Sequence, residues 1–208
     1  MKNRDGRVRI RVFLILIAVI SLFVFLNFKT DFFNVKSIVV VDNSQLTIEQ
    51  IQVASGAIGE NIFALRQKDV KANLELHPYI KQAEVSKKYP SGLKIEVIER
   101  REVLEIKDGD TYVYVDEEGK VLKVLAKPLG KKLPILKGPT IQNYEIGDDA
   151  VFENQEAIQT ALSILGEAES LGYLEDVDEI VIKGENDLII RTNLGINVAF
   201  GEVDAIKY

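Results

Sequence analysis

Tyr89-Pro90-Ser91-Gly92-Leu93-Lys94-Ile95-Glu96-Val97-Ile98-Glu99-Arg100 is a tight turn followed by an alternating segment. Pro90, Ser91 and Gly92 are turn formers; after them Leu93, Ile95 and Val97 alternate with Lys94, Glu96 and Ile98. Successive strand side chains point to opposite faces, so this pattern predicts a strand with one buried face. Residues 83–89, ahead of the turn, predict another strand. Residues 67–76 predict a helix with Val70, Leu74 and Leu76 inward, stopped by Pro78, which lacks an N–H donor and biases the preceding residue away from helix. Thr47 with Gln50 three residues on fits a capping box. It opens an earlier helix whose apolar face is Ile48, Ile51 and Val53-Ala54, with Gly56 as C-cap. The β-branched run 35–41, ending at Asp42-Asn43, is the first strand. Residues 32–103 therefore read as one unit in the order strand, helix, helix, strand, strand.

Before this unit, residues 12–28 are apolar except for Ser21 and Asn27. At ~1.5 Å per residue they span roughly 26 Å, slightly less than the ~30 Å of a hydrocarbon core. Val8 and Ile10 extend the run, because Arg9 and Arg11 can snorkel to the headgroups. There is no polar stripe of the kind a soluble-core helix carries. Residues 1–11 hold Lys2, Arg4, Arg7, Arg9 and Arg11 against Asp5 alone, whereas Lys29 on the far side is soon offset by Asp31. The positive-inside tendency then makes residues 1–11 a cytoplasmic tail, with Arg7, Arg9 and Arg11 setting the orientation, and sends the rest across. The run exceeds a signal-peptide core and no small-x-small site follows, so a single-pass, uncleaved signal anchor is expected.

Residues 104–208 predict a second, β-rich unit. Strands are expected at 103–106, 111–115, 120–125 and 133–136. A helix follows at 154–171, with Ala157, Ile158, Ala161, Leu162, Leu165 and Ala168 at helical spacing and Gly172 at its end. Strands at 177–182, 188–192 and 196–200 close the chain, with Asn186-Asp187 and Asn193-Leu194-Gly195 as hairpin connections. The fold class is α+β: one transmembrane helix, a β-α-α-β-β unit, then a β-rich unit with one amphipathic helix.

Several segments resemble a known family. Phe33-Asn34-Val35-Lys36-Ser37-Ile38, His77-Pro78-Tyr79-Ile80, Ala83-Glu84-Val85 and the stretch from Tyr89 to Arg100 resemble a POTRA domain. After an N-terminal anchor, this unit is similar to that of the FtsQ/DivIB cell-division proteins. Tyr114-Val115-Asp116-Glu117-Glu118-Gly119-Lys120-Val121-Leu122 and Leu133-Pro134-Ile135-Leu136-Lys137-Gly138 continue the resemblance into the second unit, and it covers roughly residues 8–200. Two features depart from the family pattern. Tyr79 and Tyr89 stand where many relatives carry tryptophan, and Arg101-Glu102 replaces a proline that often follows the Glu-Arg pair. Relatives also run on past the last strand, where this chain ends at Tyr208.

Composition narrows the chemistry. With 47% hydrophobic residues a packed core is expected. The net charge is −6, with the basic residues of the N-terminal tip offset by an acidic body; this argues against nucleic acid, which needs a basic face on the folded part. The absence of cysteine removes disulfides and thiolate sites, and a single histidine, His77, is expected to cap or pack. Acidic clusters at Asp108-Gly109-Asp110, Asp116-Glu117-Glu118, Asp148-Asp149 and Glu175-Asp176 with Asp178-Glu179 fall in expected turns, where solvated acids belong. No calcium loop, phosphate loop or nucleophile elbow is present. The expectation is a protein without catalytic residues, metal, cofactor or small-molecule substrate.

The resemblance implies a divisome scaffold in the cell membrane at the division septum, binding membrane lipid and small bitopic division proteins of the DivIC/FtsB and FtsL type. The contact is expected at the last strand, Ile196, Asn197, Val198, Ala199 and Phe200, with the tail after Gly201. Lys183 and Arg191 are candidates for shielding that edge. Alternatives are a POTRA-type chaperone or transport component, a wall-acting enzyme built on the acidic clusters, and a membrane-anchored extracytoplasmic sensor.

Overall fold

The computed structural model describes residues 4–184 and 187–202. Lys2, the expected turn residue Asn186 and the tail after Glu202 lie outside the described residues, as does the side chain of Arg7. The chain divides into two compact units, Met1–Glu75 with Gln82–Ile98, and Leu76–Lys81 with Glu99–Tyr208.

In the first unit, α1 (Arg4–Lys29) is a continuous 26-residue helix. Its stretch Val8–Leu26 is long and apolar enough to cross a membrane, and none of it is buried. After it come β1 (Ser37–Val41), α2 (Ile48–Ser55), α3 (Gln67–Glu75), β2 (Ile80–Lys88) and β3 (Gly92–Glu99). The sheet order is β1-β3-β2, with β1 parallel to β3 and Ser37 opposite Gly92. Leu93, Ile95 and Val97 are buried, as their alternation requires, and Ile98 faces out. The Thr47–Gln50 capping box is formed and Gly56 ends α2 in the left-handed conformation. Two expectations need correction. On α2 the inner face is Ile51 and Ser55, one turn apart, whereas Val53 is 82% exposed because two residues advance the helix by ~200°. Leu76 lies just beyond the end of α3, where helical spacing no longer sets its direction, and it is 80% exposed.

The second unit is built on a seven-stranded sheet. Its strands are β4 (Leu104–Asp108), β5 (Thr111–Val115), β6 (Val121–Leu125), β7 (Ile135–Lys137), β10 (Val177–Lys183), β11 (Asp187–Thr192) and β12 (Asn197–Glu202), in the order β12-β11-β10-β7-β4-β5-β6. β7 is parallel to both neighbours, and the other pairings are antiparallel. α4 (Gln155–Ser170) buries Ala157, Ile158, Ala161, Leu162 and Leu165 in the core of this unit. A small separate pair, β8 (Ile141–Asn143) and β9 (Val151–Phe152), was not foreseen; two or three residues are too few to carry a period.

Two glycines are fixed by close approach. A Cβ on Gly138, at φ +114°, would fall 2.1 Å from the Ile182 carbonyl oxygen; one on Gly166 in α4 would fall 2.6 Å from Glu117 Cβ. Gly130 also has positive φ, but open space around it. In urea titrations of the detergent-solubilised chain, Gly138→Ala is expected to lower stability by about 3 kcal/mol or more, through strain plus clash. Gly130→Ala, with strain alone, is expected to cost about 1 kcal/mol.

Candidate functional site

Among the described residues β12 is an edge strand: its hydrogen-bonded neighbour is β11, and no strand follows it in the sheet order. The β11–β12 turn is held by Gly195 N–H donating to Thr192 O and Thr192 N–H to Ile196 O, both at 3.0 Å. Asn193 N–H ties the same turn to Asp176 O at 2.9 Å. Along the strand Arg191 lies opposite Asn197, Ile190 opposite Val198 and Ile189 opposite Ala199. The next pair is Leu188 with Gly201, so Phe200 is the extra residue of a β-bulge. Phe200 packs half-buried against the core, while Ile196, Asn197, Val198 and Ala199 are exposed. The five expected residues thus lie together: four at the surface, the fifth turned inward.

The expected shielding is not there. Arg191 is bound to Glu179 of β10 at 2.9 Å, beside Lys137 on the same carboxylate, and so points along the sheet. Those two cations, Lys137 first, hold the Glu179 carboxyl below its ordinary range. Lys183 sits on β10, one strand further in. Residues 197–199 carry no lysine, arginine or proline, the usual devices that blunt an edge.

Sequence reasoning missed a buried polar network at the start of this unit. Asp116 was expected in solvent; it is fully buried. Its carboxylate accepts the Arg100 guanidinium and the backbone N–H groups of Glu118 (3.0 Å) and Lys120 (2.8 Å), and so shapes the β5–β6 turn from inside. Arg100 also reaches Glu118 at 2.7 Å, and Lys81 pairs with Glu117 at 2.8 Å and Glu118 at 3.0 Å. Arg100 and Lys81 together hold the Glu118 carboxyl below the ordinary carboxylate range. Nearby, the Tyr79 hydroxyl donates to the buried Glu102 at 2.5 Å, and the Lys123 ammonium sits 5.4 Å from the Tyr79 ring centre. Burial, then Glu102, pushes the Tyr79 hydroxyl well above the phenol range. Tyr79 and Glu102, one residue from each of the two departures, therefore meet each other, and their coincidence in the sequence was the available signal.

A cleft of about 550 Å³ in this unit is lined by Glu117, Glu118, Glu167 and Glu169 with Arg101 and Ser163. Glu118 is held toward its charged form there, the wrong direction for a general acid. His77 Nδ1 accepts the Tyr79 N–H at 3.2 Å, and burial lowers its pKa, consistent with a local structural role. Among the described residues no three His, Asp or Glu side chains are grouped to hold a metal ion.

A helix long and apolar enough to cross a membrane, a POTRA-type β-α-α-β-β unit and a β-rich sheet unit define a POTRA protein with a candidate membrane span. The POTRA domain of the FtsQ type matches residues 33–100, and the C-terminal domain of cell division proteins FtsQ/DivIB matches residues 105–208. The chain belongs to the FtsQ/DivIB family of cell division proteins. It is 30% identical over 161 residues to cell division protein DivIB of Clostridium botulinum strain Hall, covering 76% of this chain and 63% of that protein. It is 34% identical over 138 residues to DivIB of Clostridium tetani, covering 66% and 52%. With DivIB of Clostridium acetobutylicum the identity is 28% over 200 residues, covering 88% and 80%. The chain thus spans less than two thirds of the length of the first two relatives. The extracytoplasmic domain of DivIB from Geobacillus stearothermophilus superposes with a TM-score of 0.34 at 23% identity, over 50% of this chain and 80% of that one.

Removing one partner of a buried pair leaves an uncompensated charge, so Arg100→Met is expected to cost about 3 kcal/mol or more in urea titrations. The Glu118 pairs predict a pH dependence. Because the folded pKa is depressed, the stability they give is fully present above the unfolded value, about 4.3. It is lost as pH falls through the folded value. The difference in unfolding midpoint between wild type and Glu118→Gln should be constant above about pH 5 and shrink toward zero in more acid buffer.

Proposed function

We propose that this cell division protein is a non-enzymatic scaffold that gathers other bitopic division proteins by strand addition at β12. The observation that carries the reading is the edge at residues 197–199, which has no lysine, arginine or proline, whereas the sheet's other edge, β6, carries Lys123 and is bonded at Val121 to Gly147 and Asp148. An edge strand offers alternating N–H and C=O groups to an extended partner; main-chain bonds supply affinity, and side chains such as Val198 supply selectivity. The partners fitting the family are DivIC/FtsB-like and FtsL-like membrane proteins. The basic residues of the N-terminal tip, Arg7, Arg9 and Arg11 among them, keep it cytoplasmic and can touch anionic lipid, which leaves both folded units outside. Confinement to one membrane raises the effective concentration of partners, so a short edge contact suffices at the septum.

A photoreactive residue at position 198 in dividing cells is expected to capture small single-span division proteins. Val198→Asp is expected to weaken that capture about tenfold or more while leaving the urea midpoint of the chain unchanged. Capture of unfolded envelope proteins in their place would move the reading to an escort role, and unchanged capture by Val198→Asp would remove β12 from the interface.

A further inference from the structure

α1 passes into the first unit without a flexible linker. Thr30 Oγ1 donates to Leu26 O at 2.7 Å and accepts Phe32 N–H at 3.3 Å, which starts a short 3-10 turn, Asp31–Phe33. The chain then pairs with residues 59–62. Val35 N–H donates to Glu60 O, Gly59 N–H to Val35 O and Ile62 N–H to Phe33 O, all at 2.9 Å. Asn61 Oδ1 accepts the Phe63 N–H at 2.9 Å and turns that residue back toward the helix. The outcome is a ring cluster. Phe63 lies 5.5 Å from Phe23 and 5.0 Å from Phe33, Phe33 lies 4.9 Å from Phe32, and Tyr89 stacks on Phe63 at 5.3 Å.

Phe23 belongs to the apolar stretch Val8–Leu26, within ~4.5 Å of its end along the axis. A ring 5.5 Å from Phe23 therefore lies at the level where that stretch ends. Phe63, far along the chain, reaches this level because hydrogen bonds clamp its loop to the helix exit. Despite the ring contacts, Phe63 is 44%, Phe32 49% and Tyr89 61% exposed. Exposed aromatic rings with an apolar body belong at the bilayer interface, where one end is apolar and the other wet. Exposed Lys88, next to Tyr89, is a cation suited to anionic headgroups, and Arg66, three residues after Phe63, is exposed but paired with Asp69 at 2.9 Å.

We infer that Phe32, Phe63 and Tyr89 form an interfacial aromatic belt that seats the POTRA unit on the phospholipid surface at the C-terminal end of α1. The inference rests on reading α1 as a membrane anchor. The belt makes the POTRA unit a membrane-apposed body held close to the bilayer.

The chain contains no tryptophan, so one substitution supplies a unique fluorophore. The full chain is reconstituted in phosphatidylcholine–phosphatidylglycerol vesicles carrying a nitroxide either near the headgroup or deep in the acyl chain. Phe63→Trp emission is expected to be quenched about twofold or more by the shallow label and less by the deep one; Leu16→Trp should show the reverse order. Tyr89→Trp, at a more exposed position, should repeat the shallow pattern and guards against a local packing defect at position 63. If Leu16→Trp is quenched by the deep label while Phe63→Trp and Tyr89→Trp are quenched by neither and remain open to aqueous iodide, the belt is refuted and the anchor stands. If Leu16→Trp also escapes both labels, the anchor fails and the belt with it.

Discussion

Three residues, Ile135–Lys137, join two antiparallel meanders into one sheet. β7 pairs in parallel with β10 over Glu179, Ile180 and Val181 on one side, and with β4 at Glu105 on the other, where Glu105 N–H also donates to Pro134 O at 2.9 Å. Without this short splice, β4 and β10 would be two further open edges. The splice also carries register to the β12 edge, because β12 takes its register from β11, β11 from β10, and β10 from β7. Gly138 lets the chain leave the sheet against the Ile182 carbonyl, a path closed to any side chain. Beside the splice, the buried Glu105 carboxylate accepts the Tyr114 hydroxyl at 2.8 Å, and that hydroxyl accepts Leu129 N–H at 2.7 Å. Burial first, then Glu105, pushes the Tyr114 phenol up to about 12.

A second constraint is polar satisfaction. Asp116, Glu102 and Glu105 are carboxylates inside the β-rich unit, and each has partners. Among the described residues no buried side-chain nitrogen or oxygen lacks one. A carboxylate that accepts an arginine and two backbone N–H groups, as Asp116 does, shapes a turn from inside. That role accounts for an acid that sits inside the core and not in solvent. It also explains why the Asp116-Glu117-Glu118 cluster divides its duties, the first residue inward and the other two outward against Arg100 and Lys81.

Much of this was legible in the sequence because it rests on periods and caps. The alternation of Leu93, Ile95 and Val97, the Thr47–Gln50 capping box, the helical spacing from Ala157 to Leu165 and the uninterrupted apolar run of α1 each appear where their patterns placed them. The exposed terminal strand was legible for the same reason. Features that depend on contacts between distant residues were not. The Arg100–Asp116 pair spans 16 residues and Tyr79–Glu102 spans 23, and neither partner differs in type from an ordinary surface residue. β8 and β9 are too short to show a period, and Val53 and Leu76 show that apolar character alone does not assign a face. The bulge at Phe200 comes from matching β12 to β11, and no residue of the strand announces it.

The first unit is tied by a hydrogen-bonded exit to a helix long and apolar enough to cross a membrane, and the second ends its sheet in a strand whose residues 197–199 carry no charge. The central claim is that this edge pairs with a partner strand. Amide hydrogen exchange along β12, with and without a purified single-span division protein in the same vesicles, tests it most directly. The account predicts that the outward-facing amides among Asn197, Val198 and Ala199 become protected on binding, while those already bonded to β11 change little. Unchanged exchange along β12 in a complex that demonstrably forms would contradict the account and place the contact elsewhere on the molecule.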